Sequence, residues 1–309
     1  MRRRPQLRLV VPADRPLDGY YNDLSGIALD HVEPSVALAE LRRMTGDRET
    51  ANPVSIVQLG LAAWQLQAAA GGWANVLEAA ATWVVDAMDD GGAIAYHFPI
   101  GHTYELVPPW SSAMAQGEAA SLLLRAAKTL SEPSLAVAAA HAAQPLLDPA
   151  SALVALTDEG PVLQEYPTDP PAHVLNGWIF ALWGLHDLAS AGSEVAVATR
   201  LRAAAAFRAG SETLGRRLPL YRVRPRWSRY DLFPHRIAHV ASPFYHRLHI
   251  EQLAVMSTLA PDPAVRQIAA EWERGARSPA GSAVAVSRKV AFRMLRPRHR
   301  LWPSLGRLE

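Results

Sequence analysis

Cysteine is absent from the 309 residues, and lysine occurs only twice, as Lys128 and Lys289. Without a thiol the chain can form no disulfide, run no thiol chemistry and build no cysteine-ligated metal site. No apolar run approaches the length a membrane-spanning helix needs. Met1-Arg-Arg-Arg is basic like the start of a signal peptide, yet Leu7–Pro12 is too short and too charged for the apolar region that should follow. The reading is a soluble, cytoplasmic protein. β-Branched runs are short as well, which argues against an all-β fold.

What remains is half hydrophobic and rich in alanine and leucine, enough to bury a large core as one domain or two small ones. Net charge is only +2, but it is unevenly spread. Arginine carries nearly all the positive charge, clustering at Arg222, Arg224, Arg226 and Arg229 and again near the C-terminus. The planar guanidinium suits carboxylates and phosphates.

Helical periodicity predicts helices near Pro34–Met44, over Val54–Ala70 and over Trp73–Asp90, the last two joined at Gly71-Gly72 as an α-hairpin. Ala93–Pro99 and His102–Val107 read as a β-hairpin around Gly101. Helices follow from Ser111 or Ser112 through Lys128 and over Pro133–Leu147, then a hairpin of Leu153–Leu156 with Pro161–Tyr166. Val174–Leu188 is apolar nearly all round, the mark of a buried helix. Glu194–Leu214, a third hairpin of Leu220–Val223 with Trp227–Leu232, and helices Tyr245–Leu259 and Pro263–Arg277 complete the series. The expected fold is mainly α: an α/α toroid, an incomplete barrel of helical hairpins, with short β-hairpins rimming a cleft. Its expected divisions are an arm over 1–50, the toroid over 51–280 and a basic tail over 281–309.

The stretch around Glu165 and Tyr166 stands out. Proline biases its preceding residue to extended backbone, so Tyr166 before Pro167 and Asp169 before Pro170 hold a stiff segment at the entrance to a buried helix. A carboxylate and a phenol braced there suit proton chemistry; a proline-rich turn with two incidental polar residues is the plain alternative.

Glu165-Tyr-Pro-Thr168, Val174-Leu-Asn-Gly177 and Gly184-Leu-His-Asp-Leu188 together resemble the C-terminal domain of the D-glucuronyl C5-epimerase family. Pro109-Trp-Ser-Ser-Ala-Met-Ala-Gln-Gly117, Tyr230-Asp-Leu232 and Tyr245-His-Arg-Leu-His-Ile-Glu-Gln-Leu253 are similar to further family segments, in order, across residues 92–260. The resemblance implies the toroidal architecture and C5 epimerisation of glucuronate within a polysaccharide such as heparosan, with no redox cofactor. It also implies catalytic work for Tyr166, Tyr230 and Tyr245, two of them acting on opposite faces of the sugar, with Glu165 setting the proton affinity of Tyr166. Family members carry an N-terminal β-rich region, and little chain precedes the first helix pair here. A uronate polysaccharide lyase, or a glycan-binding or assembly protein without catalysis, are the alternatives.

Inversion at C5 removes a proton alpha to a carboxylate, so the carboxylate's charge must be neutralised and each transfer needs a placed acid or base. A tyrosine serving as base needs a lowered pKa, and arginine charge nearby is the expected cause. In the family an arginine commonly follows Tyr-Asp-Leu; Phe233 stands there, leaving Arg229 or Arg236 to supply the charge. Gln116 and Asn176 offer amides and Trp110 a face for a pyranose ring, each with a core alternative. His246 and His249 follow Tyr245 on one helix; His249 is placed to titrate near it, His246 reads as structural, and no third metal ligand accompanies them. His97 and Tyr104 have no assigned role. Buried tyrosines that merely anchor hairpins are the competing account.

The tail interleaves Arg288, Lys289, Arg293, Arg296, Arg298 and Arg300 with Val290, Phe292, Met294, Leu295, Leu301 and Trp302. That pattern fits peripheral contact of 288–302 with an anionic membrane at the inner face, with Pro297 ending its helix. Packing on the toroid and steering of acidic polymer are the other uses. The expected partners are an acidic polysaccharide, that membrane surface and a second copy of the chain, with no nucleic acid.

Overall fold

A computed structural model describes residues 16–30, 33–101 and 103–296. Its helices are α1 (Ser25–Leu29), α2 (Pro34–Thr45), α3 (Pro53–Ala70), α4 (Ala74–Ala87), α5 (Ala113–Leu130), α6 (Pro133–Ala142), α7 (Gln144–Leu147), α8 (Leu175–Ala189), α9 (Val197–Arg217), α10 (Pro243–Leu259), α11 (Pro263–Ala276) and α12 (Pro279–Leu295). The strands come in three antiparallel pairs: β1 (Ala95–Tyr96) with β2 (Trp110–Ser111), β3 (Val154–Thr157) with β4 (Gly160–Leu163), and β5 (Arg222–Val223) with β6 (Trp227–Ser228). The chain is mainly helical, as its composition implied.

Polar caps followed by proline start the helices where the sequence says they should. Asn52 accepts from Ser55 N ahead of α3, Ser242 from Tyr245 N ahead of α10, and Asp262 from Ala264 N ahead of α11, each with proline at the first helical position. The turn after α3 uses Gly71 and Gly72, both at positive φ, where a side chain would be strained.

Packing is serial. α3 pairs with α4, α5 with α6, α8 with α9 and α10 with α11, while α3, α5, α8 and α10 touch one another in that order. Each β-pair falls between successive helical pairs, so the hairpins gather beside the entrances to α5, α8 and α10. The tightest crossing joins α5 and α8. A Cβ on Gly117 would lie 2.6 Å from Ala181 Cα, and one on Gly184 would lie 2.2 Å from Gly117 O. Only glycine lets these two backbones approach so closely.

Residues 19–24, from the segment expected to be an arm, pack into the same core: Tyr20, Tyr21 and Leu24 are buried with α3, α5 and α8. Arg125 of α5 anchors them, donating to Gly19 O at 2.8 and 2.6 Å and pairing with Asp187 of α8 at 2.6 Å.

Two local expectations need correction. Residues 95–96 do not pair with 102–107; their partners are 110–111. Trp110 stacks on Tyr96 with ring centroids 4.0 Å apart and donates its Nε1–H to Phe98 O at 2.9 Å. The larger aromatic contact therefore selects the later strand, and Ile100–Leu106 survives as an isolated bridge. The helix expected over Pro133–Leu147 breaks after Ala142, because Pro145 has no N–H to continue the ladder.

Candidate active site

Main-chain pairing brings the quoted segments together. Leu175 N donates to Tyr230 O at 3.1 Å and Leu232 N to Ala172 O at 2.9 Å, so the segment leading into α8 lies along the Tyr230 segment. Tyr230 N donates to His239 O at 2.7 Å, folding the chain after it back as a loop. Tyr245 enters from the first turn of α10. Tyr104, Tyr166, Tyr230, Tyr245 and Phe233 then form one apolar cluster. The ring centroids of Tyr230 and Tyr245 are 4.9 Å apart, edge to face, and those of Tyr104 and Tyr166 are also 4.9 Å apart. Tyr166 reaches in addition toward Trp110, at 5.8 Å.

Glu165 lies beneath Tyr166 and is only 6 % exposed. It fits there because residue 177 is glycine: a Cβ on Gly177 would sit 2.2 Å from Glu165 Oε2. The carboxylate accepts from the Tyr166 hydroxyl and the Gly177 N–H, and from Asn176 Nδ2 at 3.4 Å. Burial pushes the Glu165 carboxyl up to about 7, against the pull of those first two hydrogen bonds. A group poised near neutrality inside a cluster of phenols can take or give a proton at ordinary pH.

The tyrosines go the opposite way from the sequence expectation. Burial, and then the Glu165 charge, hold Tyr166 and Tyr230 well above the ordinary phenol value. No arginine is among the main causes of either shift. Arg229 N donates to Tyr221 O, and its charge acts on the Tyr221 phenol; Arg236 is exposed. The expected lowering by arginine is therefore overturned, because desolvation dominates at Tyr166 and Tyr230 and the Arg229 charge acts on Tyr221 instead. At rest the phenols are protonated donors.

Several other candidates are committed to the framework. Gln116 donates to Gly92 O and Ala142 O and accepts from Ile94 N, which uses its amide to hold the loop before β1. Trp110 has one face covered by Tyr96, so it braces Tyr166 rather than offering an open platform. His246 stacks on Trp227 at 3.8 Å, and burial lowers it to about 4. His249 Nδ1 lies 2.9 Å from Ser228 Oγ, which places that ring against the β5–β6 pair. Burial lowers His249 well below the ordinary value. His97 accepts from Arg48 Nε at 2.9 Å, at the edge of the first pair. Asn176 stays beside the tyrosine cluster, through Glu165.

The structure adds a second layer that sequence reasoning passed over. Asp231 Oδ2 accepts from the Tyr104 hydroxyl at 2.6 Å and sits 2.6 Å from His239 Nδ1 and 3.4 Å from His235 Nε2. Burial would raise the Asp231 carboxyl, but the imidazoles of His235 and His239 and the Tyr104 hydroxyl outweigh it and bring it down to about 2. Lys289 Nζ lies 2.7 Å from His239 Nε2. An ammonium can only donate, so Nε2 accepts and the ring's proton resides on Nδ1, donated to Asp231. Asp231, His235 and His239 offer three ligand atoms within 4.8 Å of one another, close enough for a metal ion. The hydrogen-bond chain uses two of those atoms with a proton between them. A sequence signal existed for Asp231, inside the quoted Tyr-Asp-Leu segment; none existed for His239, which a non-helical loop carries into place.

Residues 288–295 of the expected membrane segment belong to α12, where Val290, Met294 and Leu295 are exposed, and Arg296 caps it; residues 297–302 lie outside the described residues. Among the described residues no helix is long and apolar enough to cross a membrane.

A family described as the D-glucuronyl C5-epimerase C-terminus matches residues 69–274. A D-glucuronyl C5-epimerase of Caenorhabditis elegans is 31% identical over 211 residues, covering 63% of this chain and 34% of that protein. The chain thus spans about a third of the length of that relative. The match takes in α8, α10 and every tyrosine of the cluster but stops short of α12. The chain belongs to the D-glucuronyl C5-epimerase C-terminal family.

Proposed function

We propose that this protein is an isomerase that inverts C5 of glucuronate residues in an acidic polysaccharide. The observation that carries the reading is Glu165, buried, raised to about 7 and hydrogen-bonded to Tyr166 within the cluster that holds Tyr230 and Tyr245. Family membership and the name of the nematode relative support the same reaction class.

The proposed chemistry follows from those groups. Ionised Glu165 accepts the Tyr166 phenolic proton as the Tyr166 oxygen takes the proton from C5. The phenol is held well above its ordinary value, so the two transfers run in concert rather than through a free phenolate. The C5–H electron pair moves into the uronate carboxylate as an enediolate. Tyr230, protonated at rest, or Tyr245 returns a proton to C5 from the other face, which completes inversion without loss of any bond in the sugar. Proton exchange with solvent restores both sides. The surrounding aromatic rings keep water from the carbanion and strengthen every electrostatic contact with it.

Deuterium incorporation at C5 of an unsulfated glucuronate polymer such as heparosan, followed by NMR in deuterated water, tests the reading. Exchange with accumulation of the inverted sugar is expected. Growth of an unsaturated uronate chromophore instead would reassign the protein as a lyase, since the first proton abstraction is common to both. Neither signal, with polymer bound, would leave a glycan-binding protein.

A further inference from the structure

The abstraction just described stabilises a dianion-like enediolate only if a cation faces the uronate carboxylate. Neither arginine expected from the sequence is among the main charges acting on Tyr166 or Tyr230, and Phe233, standing where the resemblance leads one to expect an arginine, packs on Tyr104 with ring centroids 5.6 Å apart. A cation arrives from elsewhere. Lys289 Nζ lies 5.7 Å from the centroid of the Tyr230 ring. It comes from α12, beyond residue 274, where the family match ends.

Its position is built, not incidental. His239 Nε2 receives the ammonium at 2.7 Å, and Asp231 in turn fixes the His239 ring through Nδ1 at 2.6 Å. Phe292, one turn further along α12, stacks on the same imidazole with centroids 4.1 Å apart and planes 5° from parallel. Arg293 donates to Thr103 Oγ1 at 3.1 Å, which ties α12 to the loop that carries Tyr104. Four contacts therefore hold the second of the chain's two lysines against the tyrosine cluster, whereas the first, Lys128, pairs with Asp18 at an exposed site.

We propose that Lys289 is the carboxylate-binding residue of the site, with Asp231 and His239 as its positioning residues, so that α12 completes a site the family-matched region leaves without its cation. This rests on reading the tyrosine cluster as a uronate site. The ligand chemistry is a carboxylate on a pyranose, presented so that its C5 faces Tyr166 while its charge meets the ammonium beside Tyr230. A lysine here also differs in kind from the missing arginine: it is a compact, rotatable point charge, not a planar fork, and makes one strong contact where a guanidinium makes two.

The test compares an unsulfated heparosan oligosaccharide with its carboxyl-reduced counterpart, in which glucose replaces glucuronate. Calorimetric titration at fixed ionic strength is run on the full chain and on Lys289→Met, Lys289→Gln and Lys289→Arg, with C5 deuterium exchange measured on the same preparations. The intact protein is expected to prefer the carboxylate form by at least about tenfold, the scale of one charge-assisted hydrogen bond. Lys289→Met and Lys289→Gln should lose that preference while binding the reduced oligosaccharide as before, which also reports an intact fold. Lys289→Arg should keep most of it. Exchange in the intact protein together with an undiminished carboxylate preference in both neutral variants overturns the role of Lys289 and leaves the epimerase reading standing. A Lys289-dependent preference without exchange upholds the carboxylate site and overturns the epimerase reading. No carboxylate preference in the intact protein overturns the proposal for Lys289.

Discussion

Asp187 and Asp231 are both buried carboxylates, and they are housed in opposite ways. Asp187 sits on α8 with every oxygen engaged: Arg125 Nη1 and Ser121 Oγ reach Oδ2 at 2.6 Å each, and Tyr21 and Arg125 Nη2 reach Oδ1 at 2.7 and 3.2 Å. All but one of its partners are helical side chains, and Tyr21 is itself held down by His186 at 2.7 Å. Asp231 sits on a loop. Its Oδ2 collects Tyr104 and His239, while Oδ1 has no hydrogen-bond partner among the described residues. Asn176 Oδ1 and Gln252 Oε1, around Glu165 and α10, are likewise without partners among the described residues. A saturated network on helices is a bolt. A network on loops, with titratable members and acceptors to spare, is arranged to meet something else.

Breaking the bolt should have the largest effect on the fold and none on the chemistry. Arg125→Met leaves Asp187 buried and uncompensated and should destabilise by about 3–5 kcal/mol, read from urea unfolding. C5 exchange per folded molecule should be unchanged. In the tyrosine cluster the signs reverse. Tyr166→Phe, Tyr230→Phe and Tyr245→Phe should each lower exchange by at least about a hundredfold, the usual scale for a placed acid or base. Their melting temperatures should shift only modestly, because removing one hydroxyl changes packing little. Full exchange retained in all three would reject the tyrosine chemistry.

A subtler contrast lies in pH. Glu118 of α5 is buried next to Gln58 and Tyr20, and burial raises it to about 8, above its ordinary 4.5. A carboxyl raised on folding binds its proton more tightly in the native state, so its contribution is complete below the unfolded value and is lost as pH rises through the folded one. Stability should therefore decline between about pH 5 and pH 9, with Glu165 contributing to the same limb. Glu118→Gln should shrink that decline, measured by unfolding at the two pH values; an unchanged decline would mean that Glu118 is ionised in the fold throughout. The smallest effect is expected at Arg236, exposed on the loop after Asp231. Arg236→Ala should alter stability by less than about 0.5 kcal/mol and leave exchange as it was.

Helices were legible because their signals are local: caps, following prolines and apolar faces, as at Asn52-Pro53 and Ser242-Pro243. The Glu165–Tyr166 segment was legible for the same reason, its prolines restricting the backbone. Pairing across a loop was not, and β1 found Trp110 instead of the nearer strand because an aromatic stack outweighs proximity in the chain. Residue type alone left Gln116 open between a site amide and a core role; its amide serves three backbone groups brought together only by folding. The direction of the tyrosine shifts turned on burial, which depends on the whole cluster. Asp231, His239 and Lys289 come together over 58 residues of chain through an irregular loop and a helix, with no spacing rule to announce them.

The central claim is that Glu165, titrating near neutrality, accepts the proton that Tyr166 passes on. The pH dependence of C5 exchange in the intact protein and in Glu165→Gln tests it most directly. The intact protein should exchange slowly at pH 5, rise through about pH 7 as Glu165 ionises and level off above it. Glu165→Gln should be slow at every pH, with that rise gone. A profile in the intact protein that is flat or falls across the same range, or a rise that persists in Glu165→Gln, would contradict the account.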